Sequence, residues 1–304
     1  MVAGAQKLTA AVRTLTVLCA IAAAMCTALA PTALAQRGNN AVAERVVSLV
    51  PNVTEMLFAV GAGGQVVAVS SYDDFPPAVQ SLPRVGALLD PDMERILSLR
   101  PDLVIVYGSQ TELEAQLARV GIRAYPYRHG GIDSTLQSIR DIARLTGHLA
   151  EGEQTISGLR AQLDAVRSRV RGRPRPRTML VIGRDPGTLR GVYASAGVGF
   201  LHELLELAGG TDVFGDIQRE AVQPSNETIL ARAPDVIIEL AAGEQPSADV
   251  LRRERGVWNA LPSVPAVRNN RVYRLYGSYL VAAGPRLGEA AEALARTLHP
   301  DAFK

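Results

Sequence analysis

The chain has 304 residues, of which 32 are basic and 30 are acidic, giving a formal net charge of +2 at pH 7. A balance so close to neutral gives no reason to propose nucleic acid or an anionic membrane as a partner. Hydrophobic residues make up 47% of the sequence, which is enough for a chain of this length to bury a sizeable core.

The first 35 residues predict an export signal. Lys7 and Arg13 are the only charged residues before Arg37, and residues 14–30 are almost entirely apolar. The segment ends in Ala33-Leu34-Ala35, the small-residue pattern that a signal peptidase cleaves. An apolar run of about 17 residues is marginal for a membrane anchor, so we predict cleavage near Ala35 and a periplasmic mature protein.

The two cysteines fall inside the predicted signal. Neither Cys19 nor Cys26 follows the small residues of a lipidation box, so a lipoprotein is not predicted. The mature chain, residues 36–304, has no cysteine, which excludes a disulfide, a thiolate metal site and a cysteine nucleophile. It also has no second long apolar stretch, so we expect no membrane insertion after cleavage.

An internal repeat is the most informative feature of the mature chain. Residues 91–105 are PDMERILSLRPDLVI and residues 224–238 are PSNETILARAPDVII, at a constant offset of 133 residues with seven of fifteen positions identical. Each copy begins with Pro and a polar run that favours a helix start. Pro-Asp then ends the helix before four strand-forming residues. The repeat therefore predicts one helix–strand unit that is used twice.

Strands and helices alternate around both copies of the repeat. The other predicted strands are residues 46–50, 66–69, 123–127, 178–182, a short one near Val213, and 271–276. The other predicted helices are residues 53–60, 111–120, 200–208, 248–255 and 286–298. This alternation indicates an α/β protein with two Rossmann-like lobes, each built on a mostly parallel sheet.

Residues 149–171 contain no proline and predict one long helix between the lobes. Its apolar residues recur at spacings of three and four along one face, at Ile156, Leu159, Leu163, Val166 and Val170. At 1.5 Å per residue this helix is about 35 Å long. We expect a first lobe over residues 36–148, the helix over 149–171 and a second lobe over 172–304.

At this point the sequence resembles the helical-backbone class of periplasmic binding proteins, and within that class the vitamin B12 receptors. The segments that carry the resemblance are RVVSLVPNVTEMLFAVG, VVAVSSYDDFPP, DMERILSLRPDLVI, LLELAGGTDVF, SNETILARAPDVII and the late GPR. They extend from about Arg45 to the C-terminus. The resemblance implies a solute-binding protein of an ABC importer that holds a metal chelate between two lobes, and not an enzyme.

The resemblance also implies which residues contact the ligand. These are Tyr72, Leu88, Tyr107, Tyr193, Ser278, Tyr279, Ala282 and Arg286. Aromatic faces hold flat or apolar macrocycles at low entropic cost, which suits this set. No catalytic residue, resident cofactor or protein-held metal is expected, because the bound molecule is itself a corrinoid or another metal chelate.

Several positions depart from the B12 receptors. Where those receptors carry tryptophans, this chain has Leu88 and either Ala221 or Val222, and where they carry Asp and Arg it has Ser278 and Ala282. Haem or a ferric siderophore therefore remains an alternative ligand. His129 is a further candidate, as an axial ligand to the metal of the chelate.

In this class of receptors, one glutamate on each lobe docks into the permease dimer. Glu94 and Glu227 stand at equivalent positions of the repeat, so a receptor with two similar lobes would present them symmetrically to a twofold dimer. Arginine–carboxylate pairs are strong and geometrically specific, and two placed far apart would fix the orientation of docking. The ABC permease and its ATPase are thus the expected partners, with the receptor itself a monomer.

An enzyme is the rival interpretation from another class. The sequence contains no G-x-S-x-G, H-E-x-x-H or Walker motif, and the glycines at 61–64 follow a predicted helix instead of opening one. A non-transport sensor built on the same fold also stays open. We expect little lobe motion, because one long helix resists hinging better than flexible strands do.

Overall fold

The computed structural model describes residues 41–243 and 245–304, so the predicted export signal lies outside the described residues. The first lobe is a four-stranded parallel sheet with the order β2-β1-β3-β4. Its strands are β1 (Val46–Ser48), β2 (Val66–Val69), β3 (Leu103–Tyr107) and β4 (Arg123–Tyr127). Its helices are α1 (Pro51–Ala59), α2 (Met93–Ser98), α3 (Thr111–Arg119) and α4 (Ile132–Thr146). Short 3₁₀ turns occupy Ala62–Gln65 and Pro77–Ser81.

The second lobe is a six-stranded mixed sheet with the order β10-β9-β5-β6-β8, and β7 also pairs with β5. Its strands are β5 (Arg177–Gly183), β6 (Tyr193–Ser195), β7 (Thr211–Asp212), β8 (Ala221–Val222), β9 (Val236–Ala241) and β10 (Val272–Tyr276). Its helices are α6 (Phe200–Leu207), α7 (Asn226–Arg232), α8 (Ala248–Gly256), α9 (Pro265–Arg268) and α10 (Leu287–Leu298). Further 3₁₀ turns occupy Val257–Ala260, Ser278–Leu280 and Pro300–Phe303.

The predicted α/β class with mostly parallel sheets is confirmed. Strands β5, β7, β9 and β10 pair in parallel with one another, whereas β6 pairs antiparallel with both β5 and β8. The sequence analysis did not predict strands β6 and β8 or helix α4. Strands of two or three residues are too short to show an alternating pattern, which explains the first omission.

A long helix, α5 (Leu149–Val170), follows the strands of the first sheet in the chain and precedes those of the second. It packs against helices of both lobes. The five apolar residues predicted to share its inner face are all buried, with exposures between 1% and 7%. They join a core that takes side chains from both lobes, such as Ile139 of α4 and Leu294 of α10. Helix α5 is therefore a packed spine of the molecule and not a free linker. Across the described residues, no helix combines the length and the apolar character needed to cross a membrane.

The two copies of the repeat have the same local structure. Asp92 caps α2 by accepting from the backbone N–H of Arg95, and Ser225, at the equivalent position, caps α7 by accepting from Thr228. Asp and Ser are both good caps because a side-chain oxygen satisfies a helix N–H that otherwise lacks a partner.

The two copies also end in the same way. Arg100 follows α2 with a φ of 49°, and Ala233, 133 residues later, follows α7 with a φ of 45°. In each lobe an arginine at the first strand, Arg45 or Arg177, donates to a carbonyl at the end of the repeat helix, at 2.7 Å in both cases. The duplication seen in the sequence is thus a duplication of hydrogen bonds as well as of residues.

Candidate functional site

A cavity of about 190 Å³ lies between the lobes and is lined by residues of both. The first lobe contributes His129 and Gly130, which follow β4, and the second contributes Ile182, Tyr193, Val198, Gly199, Phe200, Leu201, Glu220, Ala221 and Val281. This volume is below the roughly 300–1,000 Å³ of pockets that enclose a drug-sized ligand. It therefore suits one part of a larger molecule lying in the cleft.

His129 sits beside two tyrosines at the ends of neighbouring strands. The ring centroid of His129 is 5.1 Å from that of Tyr127, edge to face, and 6.2 Å from that of Tyr107. Desolvation lowers the pKa of His129, opposed by the negative charge of Glu220. A neutral imidazole has a free ring nitrogen that can accept a hydrogen bond or bind a metal.

Two of the predicted ligand contacts on the first lobe point to its surface. Tyr72, in the turn after β2, is 77% exposed, which is high for a tyrosine side chain. Leu88 is 40% exposed and lines a different hollow, with the 92% exposed Leu89 beside it. Tyr107, at the end of β3, is half-buried, and desolvation raises the pKa of its hydroxyl. The structure thus places Tyr107 near the cavity and Leu88 outside it.

On the second lobe the predicted residues form two groups. Tyr193, at the start of β6, is 42% exposed and lines the cavity together with His129. Ser278 and Tyr279 lie in a 3₁₀ turn and gather around Arg286, whose Nη2 donates to Ser278 Oγ at 3.1 Å. Ala282 is half-buried next to Val281, which lines the cavity.

Arg286 is held by a partner from the other lobe. Its guanidinium makes two hydrogen bonds to the buried Glu55 of α1, at 2.6 and 2.8 Å, and stacks over the ring of Phe75 at 3.9 Å. Burial lowers the pKa of the guanidinium, but the hydrogen bonds and charge of Glu55 outweigh this and raise it. Sequence reasoning did not select Glu55 or Phe75, although both lie in the PNVTE and YDDF segments that carried the resemblance.

Two more contacts join the lobes, one next to this ion pair and one at the N-terminus of α4. Asn52 Nδ2 donates to the carbonyl of Ala283 at 2.8 Å and to Tyr127 Oη at 2.7 Å. Glu203 of α6 accepts from the backbone N–H of Ile132, the first residue of α4, at 2.6 Å. A Cβ at Gly131 would lie 1.9 Å from Glu203 Oε1, so this approach requires glycine. Both contacts fix the lobes relative to each other at the edge of the cavity.

Asp73 is a buried carboxylate that the sequence analysis did not single out. It is 3% exposed, its Oδ2 accepts from the N–H and the hydroxyl of Ser70, and its Oδ1 has no hydrogen-bond partner among the residues that the structure describes. Burial raises the pKa of this carboxyl, with Ser70 and Arg84 opposing the rise. Burial and the negative charge of Asp73 together raise the pKa of Tyr107.

The predicted docking residues are both exposed and lie at equivalent places on the two lobes. Glu94 and Glu227 are the second residues of α2 and α7. A hydrogen bond from the Ser225 side chain lowers the pKa of Glu227. In the described part of the chain, no three His, Cys, Asp or Glu residues are grouped in a way that could hold a metal ion.

Comparison with known proteins agrees with this architecture. A profile for the family described as "Periplasmic binding protein" matches residues 46–279. The vitamin B12-binding protein of Yersinia pestis is 30% identical over 259 residues, covering 84% of this chain and 86% of that protein.

Two solved structures are similar over nearly their whole length. The periplasmic vitamin B12-binding protein of Vibrio cholerae has 28% identity and a TM-score of 0.71, with 86% of this chain and 98% of that chain covered. The periplasmic haem-binding protein of Roseiflexus has 27% identity and a TM-score of 0.70, with 85% and 99% covered.

Proposed function

This chain belongs to the periplasmic binding protein family, and we propose that it is the receptor of an ABC importer for a corrinoid such as vitamin B12. It captures the ligand between its two lobes and delivers it to a permease dimer driven by an ATPase. The observation that supports the ligand class is the cavity between the lobes, which is lined by Tyr193 of one lobe and His129 of the other. Aromatic faces with a few polar groups suit a large, partly apolar macrocycle.

The predicted contacts would have different roles. Tyr72, Tyr107 and Tyr193 would supply aromatic surface and Ala282 apolar surface, whereas Leu88 lines a different hollow and would contact only a ligand that extends beyond the cavity. Ser278 and Tyr279 form the second-lobe rim. Arg286 is not free to pair with a charged group of the ligand, because Glu55 already neutralises its charge. We therefore assign Arg286 to fixing the rim in place, with its remaining donor capacity turned to Ser278.

A second candidate ligand is haem, and one observation favours it. His129 has a lowered pKa and lies against the cavity, so a neutral imidazole can bind an iron that lacks an axial ligand. The similar haem-binding protein of Roseiflexus is consistent with this candidate. If the ligand is haem, His129→Ala shifts the visible spectrum of bound haemin; an unchanged spectrum removes His129 from the site. A ferric siderophore is a third ligand of the same general type.

Catalysis is not part of the proposal. The relatives and similar structures are named as binding proteins. The Ser195, His202 and Asp212 side chains do meet, but both Ser195 and His202 contact the same Asp212 oxygen. A nucleophilic serine would need to hand its proton to the histidine. The cluster instead ties β6 and α6 to β7. A non-transport sensor on the same fold is the weakest alternative.

The proposal includes a location and partners. Export by the predicted signal, with cleavage near Ala35, would place a monomeric receptor in the periplasm, where Glu94 and Glu227 meet the permease. The mature chain carries equal numbers of acidic and basic residues, so neither nucleic acid nor membrane lipid is proposed as a partner.

Uptake by cells tests this function. A strain from which the gene is deleted should lose uptake of labelled cyanocobalamin at nanomolar concentrations and regain it when the full chain is supplied. Loss and recovery of haemin uptake, with cobalamin uptake unchanged, would replace the ligand and keep the receptor role. Unchanged uptake of cobalamin, haemin and ferric siderophores would refute the transport function.

A further inference from the structure

The seven residues that are identical between the two copies of the repeat do not all serve the fold in the same way. Five of the seven pairs have an internal role. The pairs Ile96/Ile229 and Ile105/Ile238 are fully buried, and Pro101/Pro234 are buried at the start of the following strand. Asp102 accepts backbone N–H groups just before the first strand of its lobe, Asp235 accepts one at the start of the first strand of the other lobe, and Pro91 and Pro224 precede the helices. The fold therefore explains the identity of these five pairs.

The other two pairs are on the surface. Glu94 and Glu227 are exposed, and Leu97 and Leu230 are 37% and 39% exposed. Glu94 forms no ion pair with any residue that the structure describes. The two leucines leave a similar area of apolar side chain in water at the same place on each lobe. The packing of the lobes gives no reason for this exposure.

Each glutamate and its leucine are neighbours on one helix face. They are three residues apart, which places side chains on the same side of a helix, and the buried isoleucine of each helix lies between them in sequence and points inward. The caps and the helix ends of α2 and α7 also match, so the two faces have the same local geometry. The chain thus carries the same small surface twice, an acidic group beside an apolar one.

We propose that Leu97 and Leu230 extend the docking positions of Glu94 and Glu227 into two equivalent footprints, and that each leucine is covered by one subunit of the twofold permease dimer when the receptor docks. This inference rests on the proposed function and extends it. The partner site has a basic side chain to meet the carboxylate and an apolar hollow beside it to cover the leucine. A twofold partner fits, because it presents the same surface twice to a receptor that does the same. The leucine adds an attraction that salt does not screen.

Binding of the receptor to the detergent-purified permease–ATPase complex of the same organism tests the footprints. The variants are Leu97→Ser, Leu230→Ser, their double, and the double Glu94→Ala/Glu227→Ala. Covering part of a leucine is expected to give about a fivefold effect, so each single serine variant should weaken binding about fivefold and the double about twenty-five-fold. Raising the salt concentration should weaken the wild-type complex, and this dependence should persist in the serine variants but fall in the alanine double.

Leu149→Ser is the matched control, since Leu149 is a 49% exposed leucine at the start of α5 and lies outside both footprints. Cyanocobalamin affinity and the midpoint of thermal unfolding should be unchanged in all these variants. If the alanine double weakens binding and the serine variants behave like Leu149→Ser, the footprint proposal is wrong but the docking glutamates stand. If the alanine double also binds normally, the docking role in the proposed function is wrong as well. A serine variant that dissociates a dimer of the receptor would assign the leucines to contacts between copies of this chain and would overturn the proposal.

Discussion

Glu55 and Arg286 join the two lobes by a bidentate ion pair in which Arg286 Nε donates to Glu55 Oε2 at 2.8 Å and Nη2 donates to Oε1 at 2.6 Å. The two residues are 231 positions apart, Glu55 on α1 and Arg286 just before α10. Their side chains are 6% and 15% exposed. Burial raises the pKa of Glu55, and the hydrogen bonds from Arg286 oppose this rise. The pair is therefore a buried tie between the lobes, at the rim of the cleft.

The substitution Glu55→Gln should destabilise the protein by about 3 kcal/mol, because it leaves a buried guanidinium without its counter-charge. Urea unfolding measures the change. Glu153→Gln, which breaks the more exposed pair between Glu153 and Arg140, is the control and should cost far less stability, because water already screens that pair. If both variants lose the same small amount of stability, the Glu55–Arg286 pair does not hold the lobes together more strongly than an exposed ion pair would.

Binding of ligand should change the overall dimensions of the receptor very little. Helix α5 packs against both lobes, and Glu55, Asn52 and Glu203 each make a hydrogen bond from one lobe to the other. Small-angle scattering should give the same radius of gyration with and without cyanocobalamin. A clear compaction on binding would show that these contacts open and close, and Glu55→Gln should then enlarge the change.

The buried Asp73 predicts a pH dependence of stability. Because burial raises its pKa above the ordinary value of 3.8, the folded protein binds this proton more tightly than the unfolded chain does. The contribution of Asp73 to stability is then greatest at low pH and is lost as the pH rises from 3.8 through the raised pKa. Asp73→Asn should therefore gain stability relative to the wild type as the pH is raised from 4 to 7.

Chemical unfolding of both proteins at several pH values between 4 and 7 measures this difference. Asp74→Asn, at the exposed neighbouring position, controls for the loss of one negative charge. A stability difference between wild type and Asp73→Asn that moves in the opposite direction would mean that Ser70 and Arg84 hold the carboxylate more strongly than burial disfavours it.

The aromatic walls of the cleft should account for much of the ligand affinity. Tyr107→Ala and Tyr193→Ala should each weaken binding of cyanocobalamin about tenfold, or about 1.4 kcal/mol, because an aromatic face loses its contact with the macrocycle. Tyr193→Phe keeps the ring and should bind nearly as well as the wild type. Phe303→Ala, at the C-terminus, is the control for removing an aromatic ring elsewhere. Full affinity in both alanine variants would show that the ligand does not contact these two rings.

Much of the fold could be predicted because its signals are local. The stripe from Ile156 to Val170 has a helical period, and these residues are buried as the period requires. Gly61 and Gly209 were predicted to follow helices, and both have positive φ, at 87° and 83°. Antiparallel strands β6 and β8 were missed because their three and two residues carry no period. Their pairing depends on contacts with residues that are far away in the sequence.

The site could be predicted less well, for a related reason. Single residues such as Tyr193 can be placed by counting from a motif, but the partner of Arg286 cannot. Glu55 lies in the short helix α1, in which six consecutive residues are buried, and nothing in its sequence neighbours identifies a partner 231 positions away. Ligand contacts likewise come from two lobes, and the sequence does not give the distance between them. The predicted contacts and docking residues remain predictions.

The most direct test of the central claim is retention of a coloured ligand. Residues 36–304 are purified, mixed separately with cyanocobalamin, haemin and a ferric siderophore, desalted, and examined by visible spectroscopy, with titration calorimetry for whichever ligand stays bound. A corrinoid receptor retains cyanocobalamin, at about one per chain and with a dissociation constant in the micromolar range or tighter. Loss of cyanocobalamin on desalting, with haemin or the siderophore retained, would contradict the corrinoid assignment.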